Sequence, residues 1–184
     1  MIRLSAALHL PDEAAEALEP FQRGLAEADW RPREALHITL KFAGDLREDR
    51  ADDLDAELSR VGGEPLVLDL AGAGAFGEGR DIHAVWARVT PSEPLARLAR
   101  ACEVAARQAG LAADGRAYTP HVTLAYLNRP APEAVARWLS FAESLRTPSF
   151  RLERFGLYSS WRSPDGSRYR LESSYPLDRR ARSA

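Results

Sequence analysis

The chain has 184 residues, enough for one domain with a sizeable core or for two small lobes that share one. Hydrophobic residues make up 45% of the chain and charged residues 28%, which is ordinary for a soluble globular protein. The formal net charge of −2 argues against a protein that binds long stretches of nucleic acid through its overall charge.

The first half of the sequence predicts three strands separated by two helices. An apolar run predicts a strand over residues 2–10, and the Pro-Asp pair that follows begins a helix that extends to about residue 28. Alternating apolar and polar residues predict a second strand over 35–42. A helix over about 48–61 and a strand over 65–70 complete this half.

The second half predicts the same order of elements. Strands are expected over 82–89, 121–126 and 150–158, with helices over about 91–109 and 132–144 between them. One or two further strands follow, joined by a turn at Pro164-Asp165-Gly166-Ser167.

The repeated order predicts an internal duplication over about 1–71 and 81–158. We therefore expect one domain spanning 1–184, built from two pseudo-symmetric lobes related by a twofold axis and followed by a frayed tail at 178–184. A residue on the inner strand of one lobe would then face its counterpart across a cleft.

One short motif occurs in both halves at equivalent places. It reads His37-Ile38-Thr39-Leu40 in the first half and His121-Val122-Thr123-Leu124 in the second, 84 positions later. Side chains alternate between the two faces of a strand, so each His shares a face with its Thr. The two motifs together would surround a small anion with two imidazoles and two hydroxyls.

These groups are the ones that in-line displacement at phosphorus requires. One imidazole can take a proton from the attacking water while the other protonates the leaving alkoxide, because histidine titrates near neutral pH. The two hydroxyls can donate to the non-bridging phosphate oxygens. A 2′,3′-cyclic phosphate carries its leaving group on the adjacent ribose carbon, so the reaction needs no metal, and we expect no metal and no cofactor.

The segments Arg31–Gly44 and Tyr118–Ala125 resemble the two signatures of the two-histidine phosphoesterases, and more closely those of the bacterial RNA 2′,3′-cyclic phosphodiesterases, also called 2′-5′ RNA ligases. Residues 155–177 resemble the closing strands of that family. The resemblance implies an α+β fold in which each lobe is a small antiparallel sheet with outer helices and the active-site cleft lies between the lobes, although strand–helix–strand order alone would suggest a parallel sheet.

The resemblance also implies an activity and two residue roles. The activity is hydrolysis to a 2′-phosphomonoester, with His37 as the proton donor to the leaving 3′ oxygen and His121 as the proton acceptor that activates water. The residues alone do not assign these roles, because the lobes are quasi-equivalent. The family often has Arg directly after the Leu-Ala of the second motif, where this chain has Tyr126. The contact to phosphate or base that the family arginine would make is then expected from Arg116 or Arg129.

Three other residues are candidates for substrate binding besides Tyr126. Lys41 follows Thr39 by two positions and should share the cleft face, where it contacts phosphate or lies at a solvated edge. Tyr118 and Tyr169 are candidates for stacking on a base, with core packing as the alternative.

The remaining signals favour structural roles. Residues 72–77 match a dinucleotide-binding fingerprint, but no helix is predicted after them, so we expect a flexible loop between the lobes. His9 and His83 are expected to be structural, and no ligand cluster supports a metal site. The single Cys102 lies in a predicted helix as an inert thiol and excludes an internal disulfide, which fits a reducing compartment.

The expected partners are RNA ends or small cyclic nucleotide phosphates, with no membrane and no obligate protein partner. No signal peptide and no apolar run of about 20 residues are evident, so a cytoplasmic location is expected. Two alternatives stay open: a ligase that runs the reaction backwards to form 2′-5′ links, and a non-catalytic protein that binds RNA ends.

Overall fold

A computed structural model describes residues 1–164 and 166–178, so the tail predicted at 178–184 lies almost wholly outside the described residues. The helices of this part are α1 (Asp12–Leu18), α2 (Glu48–Leu58), α3 (Glu93–Gln108) and α4 (Pro132–Ala142). The strands are β1 (Ile2–His9), β2 (Asp29–Trp30), β3 (His37–Leu46), β4 (Leu66–Leu68), β5 (Leu70–Phe76), β6 (Ala84–Val89), β7 (His121–Tyr126), β8 (Phe150–Leu152), β9 (Arg154–Ser163) and β10 (Gly166–Pro176).

Antiparallel pairing connects most of these strands into one curved sheet. Its order is β10-β9-β1-β3-β7-β6-β5, with β2 paired to β7, and β4 and β8 form a separate two-stranded sheet. The predicted α+β class with antiparallel sheets and outer helices is therefore confirmed. Among the residues that the structure describes, no helix is long and apolar enough to cross a membrane.

The two halves of the large sheet meet at a single residue pair. Ile38 of β3 lies opposite Val122 of β7, and within the described residues no other pair joins these two strands. Both side chains are fully buried in the core, where they pack with apolar residues of the helices. Because Ile38 and Val122 are the second residues of the two repeated motifs, the junction between the half-sheets brings the motifs together.

Each motif strand carries the same irregularity shortly after its histidine. The pairing of β1 with β3 passes over Leu40, and the pairing of β6 with β7 passes over Leu124. A bulge of this kind places two successive residues on one face and shifts the alternation that follows. Burial reflects this, since Lys41 and Ala125 are buried directly after buried leucines.

The predicted flexible loop over residues 72–77 is wrong, because most of it forms β5, which pairs with β6. The glycines make this strand possible. The indole of Trp86 lies against Gly74 so closely that a Cβ there would be 2.3 Å from the ring, and Gly72 has φ +75° at an irregularity in the pairing. A glycine-rich strand is hard to distinguish from a loop by composition, since the close aromatic contact that requires glycine is tertiary.

Gly74→Ala is expected to lower the free energy of unfolding by about 1–3 kcal/mol, because the added methyl group must displace a buried indole. Urea unfolding of the variant and of the parent protein measures this. Gly115→Ala is the matched control, since a Cβ at Gly115 meets nothing within 4 Å. Equal destabilisation by both substitutions would contradict the packing argument.

Two predicted boundaries differ from the structure. The first helix ends at Leu18 instead of extending to residue 28, because Pro20 has no N–H to donate to the preceding turn, and residues Glu19–Phe21 form a 3₁₀ turn. The strand predicted over 150–158 divides into β8, which pairs with β4, and β9, which pairs with β1. The division of the chain into repeats at 1–71 and 81–158 stays a prediction.

Candidate active site

The four residues of the repeated motifs flank the junction between the half-sheets. His37 and Thr39 are partly exposed on either side of buried Ile38, and His121 and Thr123 are partly exposed on either side of buried Val122. The strands are antiparallel through Ile38 and Val122, so Thr39 lies toward His121 and Thr123 toward His37. One concave surface therefore carries two imidazoles and two hydroxyls in an approximately twofold arrangement.

Each imidazole is held by the backbone in the same way. His37 Nδ1 lies 2.7 Å from the carbonyl oxygen of Ala35, and His121 Nδ1 lies 2.7 Å from that of Thr119. A carbonyl oxygen only accepts, so Nδ1 carries the hydrogen in both rings. The other nitrogen, Nε2, is then the atom that accepts or releases a proton during chemistry.

The surroundings of His37 favour its neutral form. Burial, with smaller contributions from the nearby charges of His9, Arg31 and His121, lowers the pKa of His37 to about 4, although the hydrogen bond to Ala35 opposes this. The ring of Tyr169 lies 5.4 Å from the ring of His37, centre to centre. In the substrate-free protein at neutral pH, His37 is therefore uncharged.

His121 lies in an aromatic environment instead. Its ring is nearly perpendicular to the ring of Phe76 at a centroid distance of 4.8 Å, and the indole of Trp86 lies 5.7 Å away. Burial among these rings lowers the pKa of His121, while the bond to Thr119 opposes the shift. The two imidazoles thus share a backbone contact but differ in their neighbours.

Lys41 does not share the cleft face, so that part of the sequence prediction is wrong. Its side chain is only 7% exposed, and Nζ lies 2.7 Å from a carboxylate oxygen of Glu103 on α3. The bulge at Leu40 is the physical reason, because it turns the next residue toward the helices. A contact between Lys41 and a phosphate in the cleft is therefore not supported.

The aromatic candidates occupy three different places. Tyr118 donates a hydrogen bond to the backbone oxygen of Thr39 at 3.0 Å and so fastens the segment before β7 to β3. Tyr126 and Tyr169 lie on the cleft side near His37, and Tyr126 is 46% exposed. The structure therefore brings Tyr126 and Tyr169, but not Lys41, to the surface that carries the histidines.

Arg31 is the residue near the site that sequence reasoning missed. Its guanidinium lies 5.2 Å from the ring centre of Tyr126 and donates a hydrogen bond of 3.3 Å to the hydroxyl of Tyr169. It is 4% exposed and forms an ion pair with Asp29, whose side chain is 65% exposed. The only sequence signal was its place shortly before the first motif, since the contact with Tyr126 arises from the pairing of β2 with β7.

The expected replacements for the family arginine lie elsewhere. Arg116 has an 88% exposed side chain and pairs with neighbouring Asp114. Arg129 is exposed in the loop after β7. A guanidinium beside position 126 is instead provided by Arg31, whose charge also acts on His37.

The other two histidines lie closer to the site than expected. His9 is paired directly across the strands with His37 and lines the same cavity, together with Ser5, Tyr158 and Tyr169. His83 stacks on Phe76 at 6.3 Å, with the rings only 20° from parallel. Within residues 1–164 and 166–178, no group of three or more His, Cys, Asp or Glu side chains is arranged to hold a metal ion.

Residues 10–163 match the family model of the 2′-5′ RNA ligase superfamily. Three curated relatives are named RNA 2′,3′-cyclic phosphodiesterase. The Archaeoglobus fulgidus protein is 27% identical over 92% of this chain and 97% of its own length, and the Methanothermobacter thermautotrophicus protein is 28% identical over 91% and 95%. The Aeropyrum pernix protein is 30% identical over 66% of this chain and 73% of its own length.

Solved structures share the fold over nearly the whole chain. A Thermus thermophilus protein superposes with a TM-score of 0.76 at 25% identity, covering 95% of this chain and 97% of that one. E. coli LigT complexed with 3′-AMP superposes with a TM-score of 0.73 at 24% identity, covering 96% and 98%. The arrangement of helices and antiparallel strands described above is therefore shared with solved structures.

Proposed function

Because the chain belongs to the 2′-5′ RNA ligase superfamily, we propose that it hydrolyses RNA 2′,3′-cyclic phosphates to 2′-phosphomonoesters through the imidazoles of His37 and His121. The observation that carries the proposal is the junction at Ile38 and Val122, which sets two Nδ1-anchored imidazoles and two threonines around one cleft. Relatives named RNA 2′,3′-cyclic phosphodiesterase support the substrate class.

The chemical step needs one proton acceptor and one proton donor on opposite sides of the phosphorus. Nε2 of His121 takes a proton from water as the water oxygen bonds to phosphorus. The bond from phosphorus to the ribose 3′ oxygen breaks, and Nε2 of His37 gives that oxygen a proton. The phosphate stays on the 2′ oxygen, and the two rings exchange protons with solvent before the next turnover.

The low pKa of His37 in the free protein must rise before this residue can act as a proton donor. A cyclic phosphate diester carries one negative charge, and an anion within a few ångströms favours the charged form of an imidazole. Binding of the substrate therefore raises the pKa of His37 and opposes the lowering caused by burial and by the charge of Arg31. The donor is formed in the complex rather than in the free protein.

The threonines and aromatic residues complete the proposal. Thr39 and Thr123 donate hydrogen bonds to the non-bridging oxygens, where charge develops in the transition state. Tyr126 and Tyr169 provide faces for the terminal nucleoside on the His37 side, and Arg31 positions both rings. Tyr118 has a structural role, because its hydrogen bond joins β3 to the segment before β7.

The reverse reaction uses the same residues by microscopic reversibility, so formation of 2′-5′ links is the second candidate function, and the superfamily description favours it over simple RNA-end binding. A cytoplasmic location is part of the proposal. It is supported by the single cysteine, Cys102, which is buried and whose thiol pKa is raised by burial to about 12.

The pH dependence of kcat/KM follows from the pKa shifts. The productive pair holds one proton, and burial lowers the pKa of both imidazoles in the free protein below 6.5. We therefore expect the pH profile of kcat/KM to be bell-shaped and to fall as pH rises above about 6.5. The two apparent pKa values of this profile belong to the histidine pair and not to either residue alone. The alkaline limb of kcat should lie at higher pH, because bound phosphate raises the imidazole pKa. A flat profile from about pH 5 to pH 9 would contradict paired histidines.

Turnover of an oligonucleotide that ends in a 2′,3′-cyclic phosphate, with and without EDTA, tests the function. We expect equal rates in both conditions and a product that carries only a 2′-phosphate, since protein side chains perform both proton transfers. Activity that disappears on chelation and returns with a divalent ion would overturn the mechanism.

A further inference from the structure

Two aromatic residues occupy equivalent positions beyond the repeated motifs. Because the bulges fall at Leu40 and Leu124, the next residue to return to the cleft face is Phe42 in β3 and Tyr126 in β7. Their exposed fractions are 47% and 46%. Each ring has a guanidinium 5.2 Å from its centre, from Arg3 over Phe42 and from Arg31 over Tyr126.

The position of Phe42 on the cleft face is fixed by its strand partner. Phe42 lies directly opposite Ser5 of β1, and directly opposed residues in an antiparallel pair point to the same face. Ser5 lines the cavity that contains His37, Tyr158 and Tyr169. The exposed face of the Phe42 ring therefore belongs to the same concave surface as the histidines.

In the strand register, Phe42 and Tyr126 lie beyond the two motifs in opposite directions along the paired strands. Thr39 lies toward His121, and Phe42 is three residues farther along β3, about 10 Å at the usual strand rise. Tyr126 lies instead on the side of His37, where Arg31 links it to Tyr169. In-line displacement places the entering and leaving oxygens on opposite sides of phosphorus. The rings of Phe42 and Tyr126 therefore lie beyond the two ends of the line through these three atoms.

Arg3 adds charge complementarity to the surface around Phe42. In the part of the chain that the structure describes, Arg3 forms no ion pair with a carboxylate; its guanidinium lies over the ring of Phe42, and its charge also acts on Tyr126. Arg31 differs in that it is paired with Asp29. An aromatic ring with an unneutralised guanidinium suits a nucleoside attached to a phosphate, since the base stacks on the ring and the cation faces the anion.

We propose that Phe42 and Arg3 form a second nucleoside subsite, which holds the nucleoside whose 5′ oxygen lies on the His121 side of the phosphorus. The ligand is a dinucleotide that spans the cleft, with its first nucleoside at Tyr126 and Tyr169 and its second at Phe42. This inference rests on the proposed function and adds to it a place for the second nucleoside.

The subsite has a defined part in transfer between nucleosides. The 5′ oxygen of the second nucleoside bonds to phosphorus and gives its proton to His121, while the bond from phosphorus to the 3′ oxygen breaks and that oxygen takes a proton from His37. The product is a 2′-5′-linked dinucleotide, and the reverse step cleaves it. In hydrolysis, water takes the place of the 5′ hydroxyl and Phe42 contacts no substrate.

Binding of two uncleavable probes tests the subsite without turnover. The first is 3′-deoxyadenylyl-(2′→5′)-adenosine, which lacks the attacking 3′ hydroxyl, and the second is 3′-deoxyadenosine 2′-monophosphate. Titration calorimetry should give a dissociation constant for the dinucleotide that is about 5- to 150-fold lower, the equivalent of one stacked base. Phe42→Ala should remove most of this advantage, Phe42→Trp should keep it, and Arg3→Ala should reduce it.

Phe141→Ala is the matched control, because Phe141 is 42% exposed on α4 with Arg23 at 5.6 Å from its ring centre. It should leave the ratio of the two dissociation constants unchanged. Equal binding of both probes by the parent protein, or an advantage that survives Phe42→Ala, would overturn the subsite. Hydrolysis of adenosine 2′,3′-cyclic phosphate is measured in parallel, and its failure would count against the proposed function while the binding ratio still decides the subsite.

Discussion

His37→Ala and His121→Ala are each expected to lower kcat for an RNA 2′,3′-cyclic phosphate by at least about 100-fold, because each removes one partner in proton transfer. The double variant should be far less impaired than the product of the two single effects. The two imidazoles act as one unit, and once either is absent the other has no concerted step to assist. Single-turnover rates of the three variants measure both the losses and the coupling.

The control for these variants is His83→Ala. His83 stacks on Phe76 but lies outside the paired motifs, whereas His9 is a poor control because it is directly opposite His37. Folding of each variant is checked by circular dichroism and thermal melting, and it should persist because both motif histidines face the cleft. A folded single variant with near-normal turnover would contradict paired catalysis.

The same variants assign the two roles. A substrate with a good leaving group, such as a nitrophenyl phosphodiester, needs no proton donor. Removal of the donor should therefore lower kcat much less for this substrate than for one with a ribose leaving group. We expect His37→Ala to recover substantially on that substrate and His121→Ala not to recover. The opposite result would exchange the roles of the two residues.

Thr39→Val and Thr123→Val are each expected to lower kcat by roughly 10- to 1000-fold, the range found when one donor to a developing charge is removed. Valine keeps the branched shape and the strand propensity, so the change is confined to the hydroxyl. The loss should appear in kcat more than in KM, because the hydrogen bonds strengthen as charge develops on the phosphate oxygens.

Thr147→Val provides the comparison for the threonine variants. Its hydroxyl accepts a hydrogen bond from the backbone of Leu70, so the substitution should lower stability without changing the chemical step. Unchanged rates in both Thr39→Val and Thr123→Val would mean that the hydroxyls do not contact the phosphate.

The sequence predicts the placement of the four motif residues correctly, because they precede the bulges and this placement depends only on strand alternation. His37 and Thr39 share a face, as do His121 and Thr123, because only one residue separates the members of each pair. Alternation alone predicts the wrong face for Lys41, because a bulge is a property of two paired strands and the register of β1 against β3 cannot be read from β3 alone.

Two other features of the site depended on tertiary structure. Arg31 reaches Tyr126 only because β2 pairs with β7, and a two-residue strand has no detectable periodicity. The composition of β5 favours a loop because the contact that requires its glycines is with Trp86, which comes from a different strand. The antiparallel arrangement came from the family resemblance, since strand–helix–strand order by itself favours parallel pairing.

Hydrolysis of adenosine 2′,3′-cyclic phosphate in ¹⁸O-labelled water with EDTA present tests the central claim most directly, because one product analysis reports bond cleavage, regiochemistry and metal dependence together. We expect the parent protein to form only the 2′-monophosphate, with a single ¹⁸O on phosphorus, and the folded His37→Ala/His121→Ala double variant to form none above background. A 3′-monophosphate product, or the same labelled product from the folded double variant at a comparable rate, would contradict it.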